Sequence, residues 1–438
     1  MSLNLSISEK ELSKFNRIGV AYSGGVDSHS LLKRLSELNL NKKNIYALHV
    51  NHGINEESDS WEKHCKGVAE GLGVNFQSYS LNLPKGSSED EMRSLRYKKL
   101  ENWFLDGDVI LTAHHKEDQM ETILFRLFRG TSIKGLTGIP NIKEDSRFIL
   151  MRPLLDTDKT DILEFARERK LNWIEDLSNK DDYFSRNYIR NKIIPVILKR
   201  WPNLSKAIEF ISRESLQATF LLNERAKEDI DKATLGEELS LKYLSRLSDP
   251  RLRNLFRFWL DSMNINPTSS VVSEIISSFM NAKIDSSPII RLKDSKGNKF
   301  EMRRYNGKIT LLPEETSDHR INIKLCWDMS DELRLDTGVL KATKNKGKGI
   351  SPALVKSNLE VRSRIGGEKF CPAEKDKTKS LKKLYQESKI PPWARDRIPL
   401  IYIENKLAAV PSLWISKEFS VSAEEEGIDF IWKDKLGT

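Results

Sequence analysis

Short apolar runs alternate with amphipathic segments through the first half of the chain, and this pattern predicts an α/β fold. The predicted buried strands are residues 17–22, 45–50, 75–80 and 109–113. The periodicity between them predicts helices at residues 27–38, 60–72 and 88–104. Strand–helix alternation at this pitch builds a parallel sheet, and runs such as RIGVAY and VILTA fit strands covered on both faces. We therefore expect a doubly wound parallel sheet.

The second half of the chain changes pattern, which predicts two further domains. Between residues 193 and 280 helical periodicity dominates and glycines are few. Residues 291–312 carry two glycine-centred turns between alternating segments, the pattern of a small β-meander. We expect residues 341–349 (KATKNKGKG) to form an exposed loop, and residues 359–432 a compact unit of short strands. The predicted domains are an α/β domain at 1–215, a mainly helical domain at 216–315 and a small α+β, β-rich domain at 316–438.

Charge and cysteine content narrow the classes of function. The 438 residues include 72 Lys+Arg and 63 Asp+Glu, and the resulting charge of +9 suits a polyanionic partner as well as a solvated surface. Cys65, Cys326 and Cys371 are too far apart for a disulfide framework or a CxxC site. The chain has no apolar stretch of the roughly 18 residues that would cross a membrane, and its N-terminus has no apolar signal core. We expect a soluble, cytoplasmic protein with no membrane partner.

Residues 23–28 (SGGVDS) carry the strongest functional signal, because they follow a predicted strand and open a predicted helix. Gly24 and Gly25 let a ligand approach the backbone, and the N–H groups of the turn and helix N-terminus form an anion-binding nest. Ser23 and Ser28 add hydroxyl donors, while Asp27 is expected to hold Mg²⁺ against bound phosphates. The structural alternative is a glycine turn with a helix N-cap. The loop lacks the GK[ST] ending of a Walker A motif.

The SGGVDS loop resembles the PP-loop of ATP pyrophosphatases, which cleave ATP between the α- and β-phosphates and transfer AMP to a carbonyl oxygen. Other segments resemble one branch of that superfamily, the tRNA(Ile)-lysidine synthetases in their long form. In the first 200 residues these are HVNHG (49–53), TAHHKEDQMET (112–122), RLFRGTSIKGLTGI (126–139), RPLL (152–155) and DLSNKDDYFSRNYIRNKIIP (176–195). Near the C-terminus they are LEVRSRIGG (359–367) and residues 381–415. The resemblance implies an adenine nucleotide alpha hydrolase-like fold for the first domain.

The resemblance also implies a reaction and its partners. The family joins free L-lysine to C2 of the wobble cytidine in the CAU anticodon of an isoleucine tRNA. The reaction passes through an adenylated cytidine, and ATP becomes AMP and pyrophosphate. ATP and Mg²⁺ are the implied cofactors, with Asp27 as the magnesium ligand. The implied ATP-binding residues are Ser23, Gly24, Gly25, Val26, Asp27, Ser28, His52 and Ala113. An ordinary strand-end side chain is an equal alternative for His52.

Asp118 and Glu121 lie three residues apart in HKEDQMET, so a helix there presents them on one face. At the carboxyl end of a strand such a pair could bind an ammonium group, accept its proton or assist Mg²⁺; elsewhere it would be a solvated acidic face. The resemblance assigns both residues, with Arg190, to lysine binding, and these three with Asp27 to catalysis. Two neighbours, Gln119 and Thr122, would support them.

Three further residues of this segment are of types that can bind a metal ion. The family usually has Asp where Glu117 stands; Glu117 keeps the charge and has a slightly longer reach to Mg²⁺. The adjacent His114 and His115 point in different directions and lack a third ligand at helical spacing, which disfavours zinc.

Two basic clusters are candidates for tRNA contact. Residues 183–206 include six basic residues and no acidic one, and residues 360–400 include eleven basic and six acidic ones. A solvated surface is the alternative for each cluster. Tyr385 and Trp393, within the second cluster, could stack on RNA or belong to a small core. The predicted tRNA-binding residues are Arg186, Lys192, Lys382, Lys383 and Arg397.

Two other classes of function compete with this interpretation. A tRNA thiolation enzyme of the same superfamily commonly needs paired cysteines, which the spacing of Cys65, Cys326 and Cys371 does not offer. A non-catalytic, nucleotide-responsive RNA-binding protein would have no need of Asp27, Asp118 and Glu121. The sequence leaves the oligomeric state open, a homodimer included.

Overall fold

The computed structural model describes residues 3–51, 58–81, 89–145, 148–175, 182–236, 238–281, 286, 288–314, 323–355 and 359–435. The chain forms two compact units, Met1–Leu221 and Leu222–Thr438. The three-way division at residues 215 and 315 stays a prediction. Within the described ranges, every helix is too short or too polar to cross a membrane.

A six-stranded sheet organises the first unit. Its strands are β1 (Ile18–Ala21), β2 (Ile45–Asn51), β3 (Asn75–Ser80), β4 (Val109–Leu111), β5 (Ile142–Asp145) and β6 (Phe148–Met151). The spatial order is β3-β2-β1-β4-β6-β5, and every neighbouring pair is parallel except the β5–β6 hairpin at one edge. The predicted parallel sheet is confirmed. The hairpin was not predicted, because its first strand (IKED) is mostly polar.

Helices of the first unit pack against both faces of this sheet or against one another. They are α1 (Glu9–Leu12), α2 (Val26–Ser36), α3 (Ser58–Leu72), α4 (Glu89–Glu101), α5 (Lys116–Phe128), α6 (Ile133–Leu136), α7 (Lys159–Glu168), α8 (Ser185–Tyr188) and α9 (Ile194–Arg200). A π-turn at Ile189–Ile193 joins α8 to α9. The helix α10 (Leu204–Ala233) contains the boundary between the two units.

Burial on two faces explains why β1 is apolar throughout. Ile18 and Val20 pack into one core with side chains of α2, α3 and α7. On the opposite face lies Gly19, where a Cβ atom would come within 2.6 Å of Leu48 and 2.8 Å of Trp103. The absence of a side chain at Gly19 therefore lets the second core, built around Trp103, lie directly on the strand.

In the second unit, three helices pack on a five-stranded sheet. The helices are α11 (Leu241–Leu244), α12 (Asp249–Ser262) and α13 (Ser269–Met280), and the strands are β7 (Thr234–Leu235), β8 (Glu238–Ser240), β9 (Ile289–Lys293), β10 (Lys299–Tyr305) and β11 (Lys308–Pro313). The predicted meander is confirmed as β9–β11, whose turns contain Gly297 and Gly307 at positive φ.

The rest of the second unit is rich in short strands, as predicted. The strands are β12 (Lys324–Trp327), β13 (Leu333–Leu335), β14 (Gly338–Lys346), β15 (Leu359–Arg362), β16 (Lys369–Phe370), β17 (Lys379–Ser380), β18 (Leu400–Ile403), β19 (Lys406–Val410), β20 (Trp414–Ile415) and β21 (Glu426–Asp434). Two short helices are α14 (Leu381–Glu387) and α15 (Pro392–Arg395). One apolar core joins residues of these strands and α14.

The prediction of an exposed loop at 341–349 is wrong over most of its length. Residues 341–346 belong to β14, which pairs with β21 from Gly338↔Asp434 to Lys346↔Glu426. The lysines of this segment made it look like a linker. They lie on the exposed part of the two-stranded ribbon that β14 forms with β21. Lys346 pairs there with Glu424, and Lys348 pairs with Asp429. The ladder hydrogen bonds come from a strand about 85 residues away, which local composition does not reveal.

Candidate active site

The SGGVDS loop runs from the end of β1 to the start of α2, as its sequence predicts. The Ser28 hydroxyl donates to the Gly25 carbonyl (3.1 Å) and accepts from the Ser23 N–H (3.2 Å), which closes the loop on itself. Gly25 is the N-cap of α2 and supplies no capping side chain, so no side chain caps the first turn of this helix. An uncapped helix N-terminus is suited to an anion.

Gly24 is required by the packing beneath the loop. Its φ is +83°, and a Cβ atom would lie 2.6 Å from Ile174 Cδ1 and 2.9 Å from Cys65 Sγ. The Gly24 carbonyl also accepts a hydrogen bond from the Ile174 N–H at 3.0 Å. At Gly25 the nearest atom to an added Cβ would be Ser23 Oγ at 3.5 Å, so the fold itself would admit a side chain there.

Asp27 faces two cationic groups. Its Oδ1 atom accepts from the Lys159 ammonium, and its Oδ2 atom lies 3.7 Å from His115 Nε2. Burial alone would raise the pKa of Asp27, but the hydrogen bond to His115 and the charges of His115 and Lys159 bring it down to about 2. Asp27 is therefore a carboxylate with both oxygens near positive charge.

His115 links the loop to α5. Its ring is buried, and Nδ1 lies 3.0 Å from Glu117 Oε2. Burial would lower the pKa of His115, but the hydrogen bonds to Asp27 and Glu117 raise it to about 10. Glu117 also accepts the backbone N–H of Lys159 (3.0 and 3.2 Å), so this residue ties the start of α5 to the start of α7.

Asp118, Glu121 and Arg190 come together, as predicted. Arg190 binds Glu121 through Nε (2.5 Å) and Nη2 (2.8 Å), and Nη2 lies 3.3 Å from Asp118 Oδ1. Burial raises the pKa of Glu121, and the contact with Arg190 opposes that rise. Asp118 Oδ2 also accepts the His115 backbone N–H at 2.9 Å.

These side chains border a cavity of about 170 Å³. Its lining residues are His114, Asp118, Glu121, Thr122, Ile139, Arg186, Asn187 and Arg190. The cavity thus presents two carboxylates and guanidinium groups in one small space, a combination suited to a zwitterionic ligand.

Arg190 projects from the π-turn, and Pro195 accounts for that turn. A proline has no N–H, and its ring would clash with the carbonyl four residues before it in a regular α-helix. The Ile194 N–H instead bonds the Ile189 carbonyl, five residues back. Such turns are frequent at functional sites.

Comparisons with known proteins identify the family of this chain. A PP-loop domain model matches residues 2–197, a TilS substrate binding domain model residues 239–310, and a TilS substrate C-terminal domain model residues 359–432. The tRNA(Ile)-lysidine synthase of Coxiella burnetii is 36% identical over 415 residues, covering 93% of this chain and 91% of that protein. The enzyme of the same name from Methylococcus capsulatus is 34% identical over 424 residues, covering 94% and 95%. The chain belongs to the tRNA(Ile)-lysidine synthase family. It is thus a ligase of tRNA modification that uses ATP through its PP-loop.

Gln119, His52 and Ala113 were also named from the sequence, and none of them is among the described residues that line the cavity. Gln119 does not line the cavity: it exchanges two hydrogen bonds with the backbone of Ile139 (2.7 and 2.8 Å) and so holds a cavity wall. His52 lies outside the described residues, and Ala113 is a half-buried residue against the core. Among the described residues, no group of three or more His, Cys, Asp and Glu side chains could hold a metal ion.

Sequence reasoning missed His114 and Lys159 as site residues. The sequence analysis considered His114 only as a zinc ligand and disfavoured that role, yet it lines the cavity and its Nδ1 lies 2.8 Å from Thr112 Oγ1. Lys159 lies 132 residues from Asp27 in the chain. No local pattern could reveal that contact, although the neighbouring RPLL segment was part of the resemblance.

The residues predicted to contact tRNA occupy different environments. Arg186 lines the cavity and lies over the Phe125 ring at 5.7 Å. Lys192 is exposed and lies 3.2 Å from Asp182. Lys382 and Lys383 are exposed on α14. Their role in tRNA binding stays a prediction.

The interpretation of Arg397 as part of an exposed basic surface is wrong. Its side chain is 4% exposed and binds Asp434 at 2.6 and 2.8 Å. Counting charges between residues 360 and 400 could not reveal a partner on the last strand. Tyr385 and Trp393 are likewise buried in apolar clusters, so the core alternative is the one that the structure supports.

Proposed function

We propose that this chain joins free L-lysine to C2 of the wobble cytidine in the CAU anticodon of tRNA(Ile), with ATP converted to AMP and pyrophosphate. One observation carries the proposal beyond family membership. His115 Nε2 lies 3.7 Å from Asp27 Oδ2 and 3.5 Å from Asp118 Oδ2. The loop suited to ATP phosphates and the cavity suited to an amino acid therefore meet at one ring nitrogen of the same imidazole.

The chemistry needs both parts, because O2 of cytidine is a poor leaving group. The loop residues Ser23 to Ser28 would hold the ATP phosphates while cytidine O2 attacks the α-phosphorus and pyrophosphate departs. The lysine ε-amine then forms a bond to C2, the C2–O2 bond breaks, and AMP leaves with that oxygen. The amine loses a proton, for which the cavity carboxylates of Asp118 and Glu121 are candidate acceptors.

The residues present also fit Mg²⁺ that arrives with ATP. Mg²⁺ is commonly bound through one or two carboxylates together with substrate phosphates, so a site made of protein ligands alone is not needed. Asp27, a carboxylate inside the phosphate loop, would be its ligand. Bound there, the ion would neutralise developing charge on the phosphates.

The cavity carries the charges that an amino acid requires. Asp118 and Glu121 would bind ammonium groups of lysine, and Arg190, which contacts both, would position them and attract the carboxylate. Arg186 and the lysines of α14 would contact the tRNA backbone. The cytoplasm is the proposed location, and a homodimer remains one option for assembly.

AMP release tests the proposal. The purified chain is incubated with ATP, Mg²⁺, lysine and an unmodified tRNA(Ile) transcript with a CAU anticodon. We expect AMP formation that requires lysine, together with lysine incorporated into the tRNA. A methionine tRNA with the same anticodon and a lysine-free reaction are the controls. Sulfur incorporation, or AMP release that is indifferent to lysine, would contradict the proposal.

A further inference from the structure

Lys159 brings a positive charge into the phosphate loop from a helix outside it. It is the first residue of α7, and its ammonium binds the Asp27 carboxylate. Its backbone N–H is fixed by Glu117 at 3.0 Å. About 29% of its side chain is exposed, so the side chain is not enclosed by the protein.

The contact with Asp27 is not needed to pack α7. Ile162 and Phe165 of α7 already share a core with Leu31, Leu32 and Leu35 of α2. The Glu117 carboxylate separately holds the backbone at the start of α7. A purely structural tie would thus be redundant, which leaves the charge of Lys159 to be explained.

The charges around the loop indicate that this ammonium can exchange Asp27 for another negatively charged partner. In the structure, Asp27 pairs with Lys159 and with the buried His115, and His115 also contacts the carboxylates of Glu117 and Asp118. Mg²⁺ held by Asp27 would repel a lysine that shares the same carboxylate. The triphosphate brings several negative charges to the same loop, and a flexible lysine is a common phosphate-binding residue because it acts as a compact point charge.

We propose that Lys159 is an ATP-contacting residue whose ammonium moves from Asp27 to the polyphosphate when the nucleotide binds. There it stabilises the pyrophosphate that leaves as the bond between the α-phosphorus and the bridging oxygen breaks, the electron pair remaining on pyrophosphate. The new bond joins the α-phosphorus to cytidine O2. This inference rests on the proposed use of Mg²⁺ and ATP, and it gives α7 a direct part in the first half-reaction.

The test compares three variants in equilibrium binding of ATP and AMP with Mg²⁺ present. Lys159→Gln removes the charge, Lys159→Arg keeps it, and Lys116→Gln is the matched control. Lys116 lies at the start of α5 and pairs with Asp158 at 2.8 Å, outside the loop.

We expect Lys159→Gln to weaken ATP binding roughly tenfold to hundredfold, the range for one charge-assisted contact. AMP binding should change less than about twofold, because AMP lacks the β- and γ-phosphates. Lys159→Arg should recover part of the affinity, and Lys116→Gln should match the wild type.

A competing explanation is that Lys159 affects only the binding of the metal. Mn²⁺ binding without nucleotide, measured by electron paramagnetic resonance, distinguishes the two explanations. If Lys159 only competes with the metal for Asp27, Lys159→Gln would bind Mn²⁺ more tightly and keep its ATP affinity, which would overturn the inference. Equally weakened binding of ATP and AMP with a lowered Tm would overturn it as well. Failure of the proposed function can be told apart from failure of this inference, because the wild type itself would then release AMP without requiring lysine.

Discussion

Single side chains of the cavity determine what the proposed lysine site can bind. Glu121 is buried and both of its oxygens accept from Arg190. A buried charge is tolerated when it is paired in this way, and removing one partner leaves the other uncompensated. The pair is therefore both a part of the binding site and a constraint on how that site can be altered.

Neutral isosteres of the two carboxylates should separate lysine binding from ATP binding. We expect Asp118→Asn and Glu121→Gln to raise the lysine KM about tenfold or lower kcat, since each removes the charge from a charge-assisted hydrogen bond. The KM for ATP should stay within about twofold. Steady-state kinetics with each substrate varied checks this. A variant that no longer binds ATP while lysine saturation is unchanged would place these carboxylates at the metal instead.

A buried histidine of α2 should make stability depend on pH. Burial, followed by the nearby charge of His64, lowers the pKa of His29 to about 4, whereas an unfolded histidine has a pKa of about 6.5. The unfolded state therefore binds the proton more readily, and stability decreases as pH falls from about 6.5 to about 4. The slope is at most about 1.4 kcal/mol per pH unit. Urea unfolding of wild type and His29→Gln at several pH values measures it. Parallel curves for the two proteins would refute the assignment.

At the scale of the element, the phosphate loop shows two glycines with different reasons for being there. Gly24 has a positive φ and no room for a Cβ, whereas Gly25 has an ordinary φ of −71° and room toward the protein. The first glycine is required by the fold. For the second, the reasons left are its N-cap position and the approach of a ligand.

Alanine at each position distinguishes these reasons. Gly24→Ala should destabilise the protein by about 1–3 kcal/mol, through strain at positive φ and overlap with Ile174 and Cys65. Gly25→Ala should cost at most about 1 kcal/mol, since alanine is a poorer N-cap than glycine, and should weaken ATP binding. Thermal unfolding and ATP titration of both variants provide the measurement. If Gly25→Ala binds ATP like the wild type, the nucleotide does not approach that backbone closely.

The elements that the sequence predicts well are those whose signal is local. Strands β1, β2 and β4 are apolar runs between turns, and the SGGVDS loop follows from its strand–turn–helix context. The misses share a different origin. The ribbon strand β14 depends on β21, the Asp27–Lys159 contact joins residues 132 positions apart, and Arg397 finds its partner 37 residues later. Pattern and composition describe neighbours in the chain, whereas these features depend on neighbours in space.

At the scale of the whole molecule, the excess positive charge is distributed unevenly. Within the basic cluster at residues 360–400, Lys375 and Lys379 both pair with Glu387, and Arg364 pairs with Asp396. Other exposed lysines have no ion-pair partner among the residues that the structure describes. They are Lys369, Lys377, Lys382, Lys383 and Lys389. These lysines, several of them on or beside α14, are the part of the cluster available to a polyanion.

Neutralising α14 should affect tRNA binding and spare the chemistry. We expect Lys382→Gln with Lys383→Gln to weaken tRNA binding and to reduce its salt dependence by up to about one unit of log–log slope for each phosphate that the variant no longer neutralises. ATP affinity should not change. Titration of tRNA at several salt concentrations measures the effect. Lys63→Gln with Lys66→Gln, on α3, is the control for the same change in net charge. Wild-type affinity and slope in the α14 variant would show that this surface is merely solvated.

The pairing of Arg397 with Asp434 has a consequence for genetics. Asp434 is the last residue of β21 and the counter-ion of a guanidinium that is almost wholly enclosed. A nonsense or frameshift mutation that removed only the residues from 434 onward would leave that guanidinium uncompensated, at a cost of about 3–5 kcal/mol. This is a large part of the roughly 5–15 kcal/mol that holds a typical domain folded. An allele truncated at codon 434 should therefore behave as a severe loss-of-function allele, although every residue of the proposed catalytic site would still be encoded.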